Sequence, residues 1–94
     1  MLFFIYSVDK PGHAHVRADT RPRHLAYLEA FLDRIVIGGP TLDEAGETST
    51  ASVIILDLQD RAAAEAFVAG DPYTKAGLFQ SVTIARWRRV FPKA

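Results

Sequence analysis

Two of the predicted β-strands in this 94-residue chain carry apolar side chains on both of their faces. The segments LFFIYSV (2–8) and ASVIILDL (51–58) have apolar residues at odd and at even positions. Successive side chains of a strand point to opposite faces, so a strand wetted on one side should alternate apolar with polar residues. Both faces of the sheet that contains these strands must therefore be covered.

The order of the remaining elements narrows the fold further. Helices are predicted for TRPRHLAYLEAFLDR (20–34) and QDRAAAEAFVAG (59–70), and strands for IVIGGPTL (35–42) and LFQSVTIARWRRV (78–90). The polar segment 43–49 then forms the turn of a hairpin. The order β-α-β-β-α-β predicts an α+β, ferredoxin-like fold, in which a four-stranded antiparallel sheet carries two helices on one face.

The first predicted helix begins at Thr20, a possible N-cap, which keeps Pro22 in the first turn where proline is tolerated. Its apolar stripe consists of Leu25, Leu28 and Leu32, at spacings of three and four residues. A start further upstream would place Pro22 inside the helix, where it should cause a kink.

Two helices on one face leave the second apolar face of the sheet uncovered. Soluble proteins rarely expose an apolar patch of that size, and closed two-fold dimers are the commonest assemblies that bury one. We therefore predict a homodimer and leave open any higher assembly. Phe3, Ile5, Ile54 and Leu56 are candidates for either the helix-covered core or the interface.

Length and composition restrict the class of protein. The chain has the size of one domain, residues 1–94, with 49% hydrophobic residues and a formal net charge of +0. It has no cysteine, no export signal and no apolar run of the roughly 20 residues that span a bilayer. We expect a soluble, cytoplasmic protein without a membrane partner.

The C-terminal RWRR (86–89) is the one basic cluster in the sequence. We predict a strand whose arginines face solvent, with Trp87 packed at the opposite parity. Three arginines in a neutral domain make few phosphate contacts, so no nucleic-acid partner is expected.

The segment AGDPYTKAG (69–77) raises the question of what Asp71 does. An aspartate followed by Pro72 is typical of a helix start, where the carboxylate caps free backbone N–H groups. The same carboxylate could instead face a pocket and orient a catalytic histidine. Because a carboxylate has two oxygens, the two roles can coexist.

His24 lies one residue before the apolar stripe of the first helix, at the edge of the core. It could bond a backbone carbonyl as a structural residue, or it could exchange a proton, for which histidine is the best-suited side chain near neutral pH. A neighbouring carboxylate would fix its tautomer.

Other residues could form the walls of a ligand site. Arg17 and Arg21 precede His24 at helical spacings and are either solvated charges or attractors of an acidic substrate. Tyr73 can donate a hydrogen bond or simply pack. Gly39, next to Gly38, would let a ligand approach the backbone, although these glycines and Pro40 also suit the end of a strand.

The pair His13 and His15 has a spacing that can serve a metal, but the sequence offers no third ligand beside it. We therefore predict no metal site.

Three motifs in this order, RPRHLAYLEAF in the first helix, IGGP in the second strand and GDPY after the second helix, resemble the YCII-related (YciI-like) family of small bacterial proteins. The resemblance implies a dimeric α+β barrel whose pocket holds a histidine and an aspartate as an acid/base pair, with no required metal or organic cofactor. It assigns those roles to His24 and Asp71. Some relatives are linked to dehydrochlorination or to lactone chemistry on small ring compounds.

Two classes of function follow. The first is a small cofactor-independent enzyme in which His24 moves a proton during elimination, isomerisation or hydrolysis of a small anionic or aromatic substrate. The second is a non-catalytic ligand-binding or regulatory dimer that uses the same pocket. In either case we expect Asp71 and His24 to meet at the mouth of a pocket between the first helix and the sheet, with Arg21, Gly39, Pro40 and Tyr73 as substrate-binding residues.

Overall fold

The computed structural model describes residues 1–93 and has the predicted order of elements, with one short helix added. The elements are β1 (Leu2–Asp9), α1 (Ala14–Glu29), β2 (Ile35–Leu42), β3 (Ser49–Asp57), α2 (Arg61–Gly70), α3 (Pro72–Lys75) and β4 (Phe79–Arg86). The strands form one antiparallel sheet in the order β2-β3-β1-β4, so the ferredoxin-like prediction is confirmed. In the part of the chain described here, no helix is long and apolar enough to cross a membrane.

The central strands β1 and β3 build the floor of the core. Phe3 pairs with Leu56 and Ile5 with Ile54, and all four side chains are buried. They pack beneath the helices together with Phe67 of α2. These residues, predicted for either the core or an interface, therefore belong to the helix-covered core.

The opposite face of the sheet is also apolar but carries no helix. Phe4 and Tyr6 lie side by side on it, with ring centroids 6.3 Å apart. By strand register Val53, Ile55 and Ile37 share this face, and Ile37 is 62% exposed. Each central strand therefore places apolar side chains on both faces of the sheet, which explains the apolar residues at both odd and even positions.

The predicted bounds of the first helix are wrong. The helix begins at Ala14, after a turn in which Gly12 has a φ of 73°, and its N-cap His13 makes no side-chain capping bond. Thr20 is buried inside the helix, and Pro22 lies in its interior. Proline lacks the N–H that would bond the carbonyl of Ala18, but both residues are exposed, so water can satisfy that carbonyl.

The leucine stripe of this helix is only partly a core feature. Leu28 packs against the core, whereas Leu25 is 41% and Leu32 62% exposed. Tyr27 of the helix and Phe31, just after its end, also pack against the core, where both contact Phe67. They pack more area per residue than leucine does.

The last strand is shorter than predicted. β4 ends at Arg86, which pairs with Phe3, and the Trp87 N–H donates one more bond to the Leu2 carbonyl at 3.0 Å. β1 begins at Leu2, so Arg88 and Arg89 have no strand left to pair with. The arginines are exposed as expected, and Trp87 is half-buried.

Helices α1 and α2 approach each other closely at Gly70. The Tyr27 hydroxyl donates to the Phe67 carbonyl at 2.8 Å, and a Cβ on Gly70 would lie 2.6 Å from that hydroxyl oxygen. A glycine is therefore required here by packing, not by backbone conformation.

Replacing Gly70 by alanine should lower the free energy of unfolding by about 1–3 kcal/mol, because an overpacked contact costs more than the helix propensity of alanine returns. Urea denaturation measures this loss. The same substitution in a Tyr27→Phe background removes the clashing hydroxyl and should cost less. Equal costs in both backgrounds would show that this contact does not set the helix spacing.

Candidate active site

A cavity of about 510 Å³ lies between α1 and the sheet. Its floor comes from β1, β2 and β3, and its far wall comes from the segment that joins α2 to α3. The residues predicted for the site all line it: Arg21, His24, Gly39, Pro40, Asp71 and Tyr73. A volume of this size is typical of small-molecule sites.

His24 and Asp71, 47 positions apart in sequence, meet at the wall of this cavity. Nδ1 of His24 lies 2.8 Å from Oδ1 of Asp71. The side chains are 14% and 10% exposed, so the pair is largely shielded from bulk water. The fold brings the two together because α1 passes over the start of α3.

Asp71 is also the N-cap of α3. Its Oδ1 accepts the backbone N–H of Tyr73 at 2.9 Å, and Pro72 occupies the first helical position. The helix cap and the bond to His24 therefore coexist on one oxygen atom. That double bonding fixes the carboxylate rigidly against α3.

The hydrogen bond to Asp71 determines the tautomer of His24. An ionised carboxylate can only accept, so Nδ1 must be the donor, and neutral His24 carries its lone pair on Nε2. Among the described residues, the hydrogen bonds of this ring involve Nδ1 alone. Nε2 is thus available to accept a proton from a molecule in the cavity.

Tyr73 packs against the face of the His24 ring. Its ring stacks on the His24 ring with centroids 3.9 Å apart and planes at 15°, and the residue is only 1% exposed. Burial raises the pKa of the Tyr73 phenol, although the charges of Arg17 and Arg21 oppose that shift. The phenol therefore stays protonated through the neutral pH range.

Arg17, which the sequence left as either a solvated charge or an attractor of an acidic substrate, lines the cavity and is held there by hydrogen bonds. Its Nε and Nη2 donate to the two oxygens of Asp9 at 2.7 Å each, and Nη2 also donates to Ser52 Oγ at 2.9 Å. Its guanidinium carbon lies 4.8 Å from the centre of the Tyr73 ring. Burial alone would lower the pKa of Arg17, but the bonds and charge of Asp9 outweigh it, so the net pKa is raised.

The sequence held a signal for this network. Arg17, Arg21 and His24 are spaced by four and three residues, which places them on one helix face if the helix starts upstream of Arg17. The predicted start at Thr20 placed Arg17 outside the helix, although its spacing to His24 was already visible in the sequence. Asp9 and Ser52 gave no signal. Strand register brings Ser52 to the cavity floor, and Asp9 lies at the end of β1, before the turn that leads into α1.

The remaining predicted site residues lie at the rim of the cavity and on the edge strand β2. Arg21 is exposed, and within residues 1–93 it forms no ion pair with a carboxylate. Gly38, Gly39 and Pro40 lie inside β2 and do not end it, and the proline is tolerated because β2 is an edge strand. A Cβ on Gly39 would meet nothing within 4 Å, so packing does not require glycine there.

The pair His13 and His15 stays apart from the cavity lining, with ring centroids 6.1 Å apart. Across residues 1–93, no group of three or more His, Cys, Asp or Glu side chains is placed to hold a metal ion.

Comparison with known proteins agrees with the sequence motifs. The model of the YCII-related domain matches residues 1–88. Protein YciI of Escherichia coli is 33% identical over 98 residues, covering 97% of this chain and 100% of the relative. An uncharacterized protein of Haemophilus influenzae is 29% identical over the same shares of both chains.

Among solved structures, one similar protein has a described activity on a small ring compound. It is the 5-chloro-2-hydroxyhydroquinone dehydrochlorinase TftG of Burkholderia phenoliruptrix AC1100, in complex with 2,5-dihydroxybenzoquinone, with a TM-score of 0.90, 41% identity and 94% of each chain covered. An antibiotic biosynthesis monooxygenase, with a TM-score of 0.57, 18% identity and coverage of 96% and 99%, shares the fold alone.

Proposed function

The chain belongs to the YCII-related family, and from this premise we propose that it is a cofactor-independent enzyme performing acid/base chemistry on a small hydroxylated ring compound. The observation that carries the proposal is the His24–Asp71 pair, bonded at 2.8 Å, with Nε2 available beside a cavity. A buried histidine whose tautomer is fixed by a carboxylate is equipped to act as a general base and then as a general acid.

The similar dehydrochlorinase suggests the reaction class, an elimination of HCl from a chlorinated, polyhydroxylated ring. A ring hydroxyl is acidic enough for an imidazole to deprotonate. A ring of this kind is also flat and largely apolar, which suits a cavity walled by Tyr73 on one side and strand residues on the other.

The proposed step balances without an outside oxidant. His24 Nε2 takes the proton of one ring hydroxyl, and the released electron pair forms a C=O bond while the carbon that bears chlorine gains a proton. Chloride then leaves with the C–Cl electron pair as a second hydroxyl gives up its proton and becomes a carbonyl. The net loss is one proton and one chloride, because C–Cl becomes C–H while the ring passes from the hydroquinone to the quinone level.

The other residues would support this chemistry. Asp71 would orient the imidazole and stabilise its charged form. Arg21, a cation at the rim, would attract a substrate whose hydroxyl has partly ionised. Tyr73 would hold the plane of the His24 ring, and Gly39 and Pro40 would form the opposite wall.

We expect His24→Ala to slow chloride release from 5-chloro-2-hydroxyhydroquinone by about 100-fold or more, the usual contribution of a general acid/base. Asp71→Asn should also slow it, because asparagine can cap α3 but supplies no charge for the imidazolium. A chloride electrode measures the rate.

The matched control is Asp60→Asn, the same change at the N-cap of α2, where Asp60 accepts the Ala63 N–H at 2.8 Å outside the cavity. If Asp71 is only a cap, both asparagine variants should keep full activity. Full activity of His24→Ala would contradict the proposal.

The alternative function is a non-catalytic dimer that binds a ring compound in the same cavity. The apolar part of the lining is compatible with it. It predicts that the wild-type protein binds 2,5-dihydroxybenzoquinone and releases no chloride from any chlorinated analogue.

We also propose that the open sheet face is covered by a second copy of the chain. Phe4, Tyr6 and Ile37 form an apolar surface on that face, and a homodimer would bury it. This arrangement would make the dimeric barrel that the family resemblance implies.

Sedimentation should give the mass of a dimer for the wild-type protein, and Ile37→Lys should shift it towards the monomer because a charge would be buried in the interface. Leu32→Lys is the matched control, since Leu32 and Ile37 are both 62% exposed but Leu32 lies on the helix side. A monomeric wild-type protein at micromolar concentration would refute the dimer.

A further inference from the structure

The floor of the cavity has two chemically different ends. At one end Ser7 pairs with Ser52, and Ser52 pairs in turn with Pro40. One step along the same face, Ile5 pairs with Ile54. Ile35 follows beyond them, so the floor passes from polar to apolar along its length.

The roof of the cavity changes in the same direction. Along the first helix and the turn after it, the lining residues include first Arg17, Arg21 and His24, and then Leu25, Leu28 and Leu32. The bond from Arg17 Nη2 to Ser52 Oγ, at 2.9 Å, brings the polar end of the roof over the polar end of the floor. At the other end Leu32 precedes Ile35 by three residues, so the apolar ends coincide as well.

The exposed leucines at the apolar end are not needed for the core. Leu25 and Leu32 remain 41% and 62% exposed, while Tyr27 and Phe31 fill the core contact of the same segment. A molecule in the cavity that covered their side chains would remove them from water. Such burial stabilises a complex in proportion to the apolar area removed from water.

A single ring cannot use the whole cavity. A cavity of about 150 Å³ is enough to bind benzene. The cavity here holds about 510 Å³, so a ring beside His24 would leave the leucine end largely empty.

Glu29 restricts what could occupy that end. Glu29 lines the cavity next to Leu28, and residues 1–93 place no cation in an ion pair with it. A carboxylate at the apolar end repels an anionic group. The occupant should therefore be apolar and uncharged.

We propose that the cavity takes hydroxylated rings that carry an uncharged alkyl chain of several carbons. The chain would lie against an apolar subsite formed by Leu25, Leu28, Leu32 and Ile35, with the ring at His24. This inference rests on the proposed function only for the position of the ring.

Binding of three probes without a leaving group tests the subsite. They are 2,5-dihydroxy-1,4-benzoquinone, its 3-hexyl homologue and its 3-(5-carboxypentyl) homologue, each titrated calorimetrically into the wild-type protein. Burial of one methylene is worth roughly a factor of four in affinity, so a partly covered hexyl chain should tighten binding by about 30-fold or more. The carboxypentyl chain should give much less of that gain.

Substitutions of the leucines show where in the cavity the hexyl chain gains its affinity. Leu25→Ser combined with Leu32→Ser should remove most of the hexyl gain and leave binding of the parent quinone unchanged. Both positions are exposed, so the fold should tolerate the change. Leu42→Ser, at an exposed leucine outside the cavity lining, is the control and should keep the full gain.

Several results would overturn the proposal. These are equal affinity for the parent and hexyl quinones, a gain that survives the double substitution, or failure of both quinones to bind. A shift in the sedimentation mass of the double variant would assign the leucines to contact with a second copy, which also refutes the subsite. The probes cannot react, so a failure of chloride release would leave this result intact and would count against the proposed catalysis alone.

Discussion

One carboxylate oxygen connects the fold of this protein to its candidate chemistry. Oδ1 of Asp71 accepts the Tyr73 N–H, which starts α3, and the Nδ1–H of His24, which lies on α1. Through these two bonds, one atom in the cavity wall connects the short helix α3 with α1, the longest helix. Because the first bond fixes the position of Asp71, the second holds the imidazole with little freedom left to lose when a ligand binds.

The surroundings of this atom reinforce the arrangement. The backbone N–H of Tyr73 donates to Asp71, and the ring of Tyr73 stacks on the imidazole of His24. Arg17 reaches the Tyr73 ring while Asp9 and Ser52 hold its guanidinium. A polar network in a cavity is costly unless its members are satisfied, and here the cation and both carboxylates have partners. The helix face, the strand register and the α3 cap therefore determine the site together.

The fold could be predicted from sequence to a large extent, since it depends on patterns that repeat. Apolar residues at both parities of β1 and β3 predicted that both faces of the sheet are apolar, and Asp71 followed by Pro72 predicted a helix start. The start of α1 could not be predicted in this way, because the segment 14–19 carries no large apolar stripe and Pro22 suggested a first turn. Its core contacts were also missed, since tertiary packing favoured Tyr27 and Phe31 over the more regular leucines.

The site, too, could be predicted only in part from the sequence. The family motifs pointed to His24 and Asp71, and the structure brings these side chains together. Ser52 was out of reach of any local pattern, because pairing between strands places it in the cavity floor. The bond of Asp9 to Arg17 depends on the turn between β1 and α1, which no motif in the sequence specified. The exposed leucines were first assigned to the core, and only the coordinates show that two of them face a cavity.

The tautomer of His24 tests the central claim most directly. Nitrogen-15 NMR of histidine-labelled protein, recorded above the pH at which the imidazole is charged, distinguishes the two neutral forms. The account predicts that His24 carries its proton on Nδ1 and has a bare Nε2, and that Asp71→Asn weakens this preference. A proton on Nε2, or the mixture of tautomers found in free histidine, would contradict it.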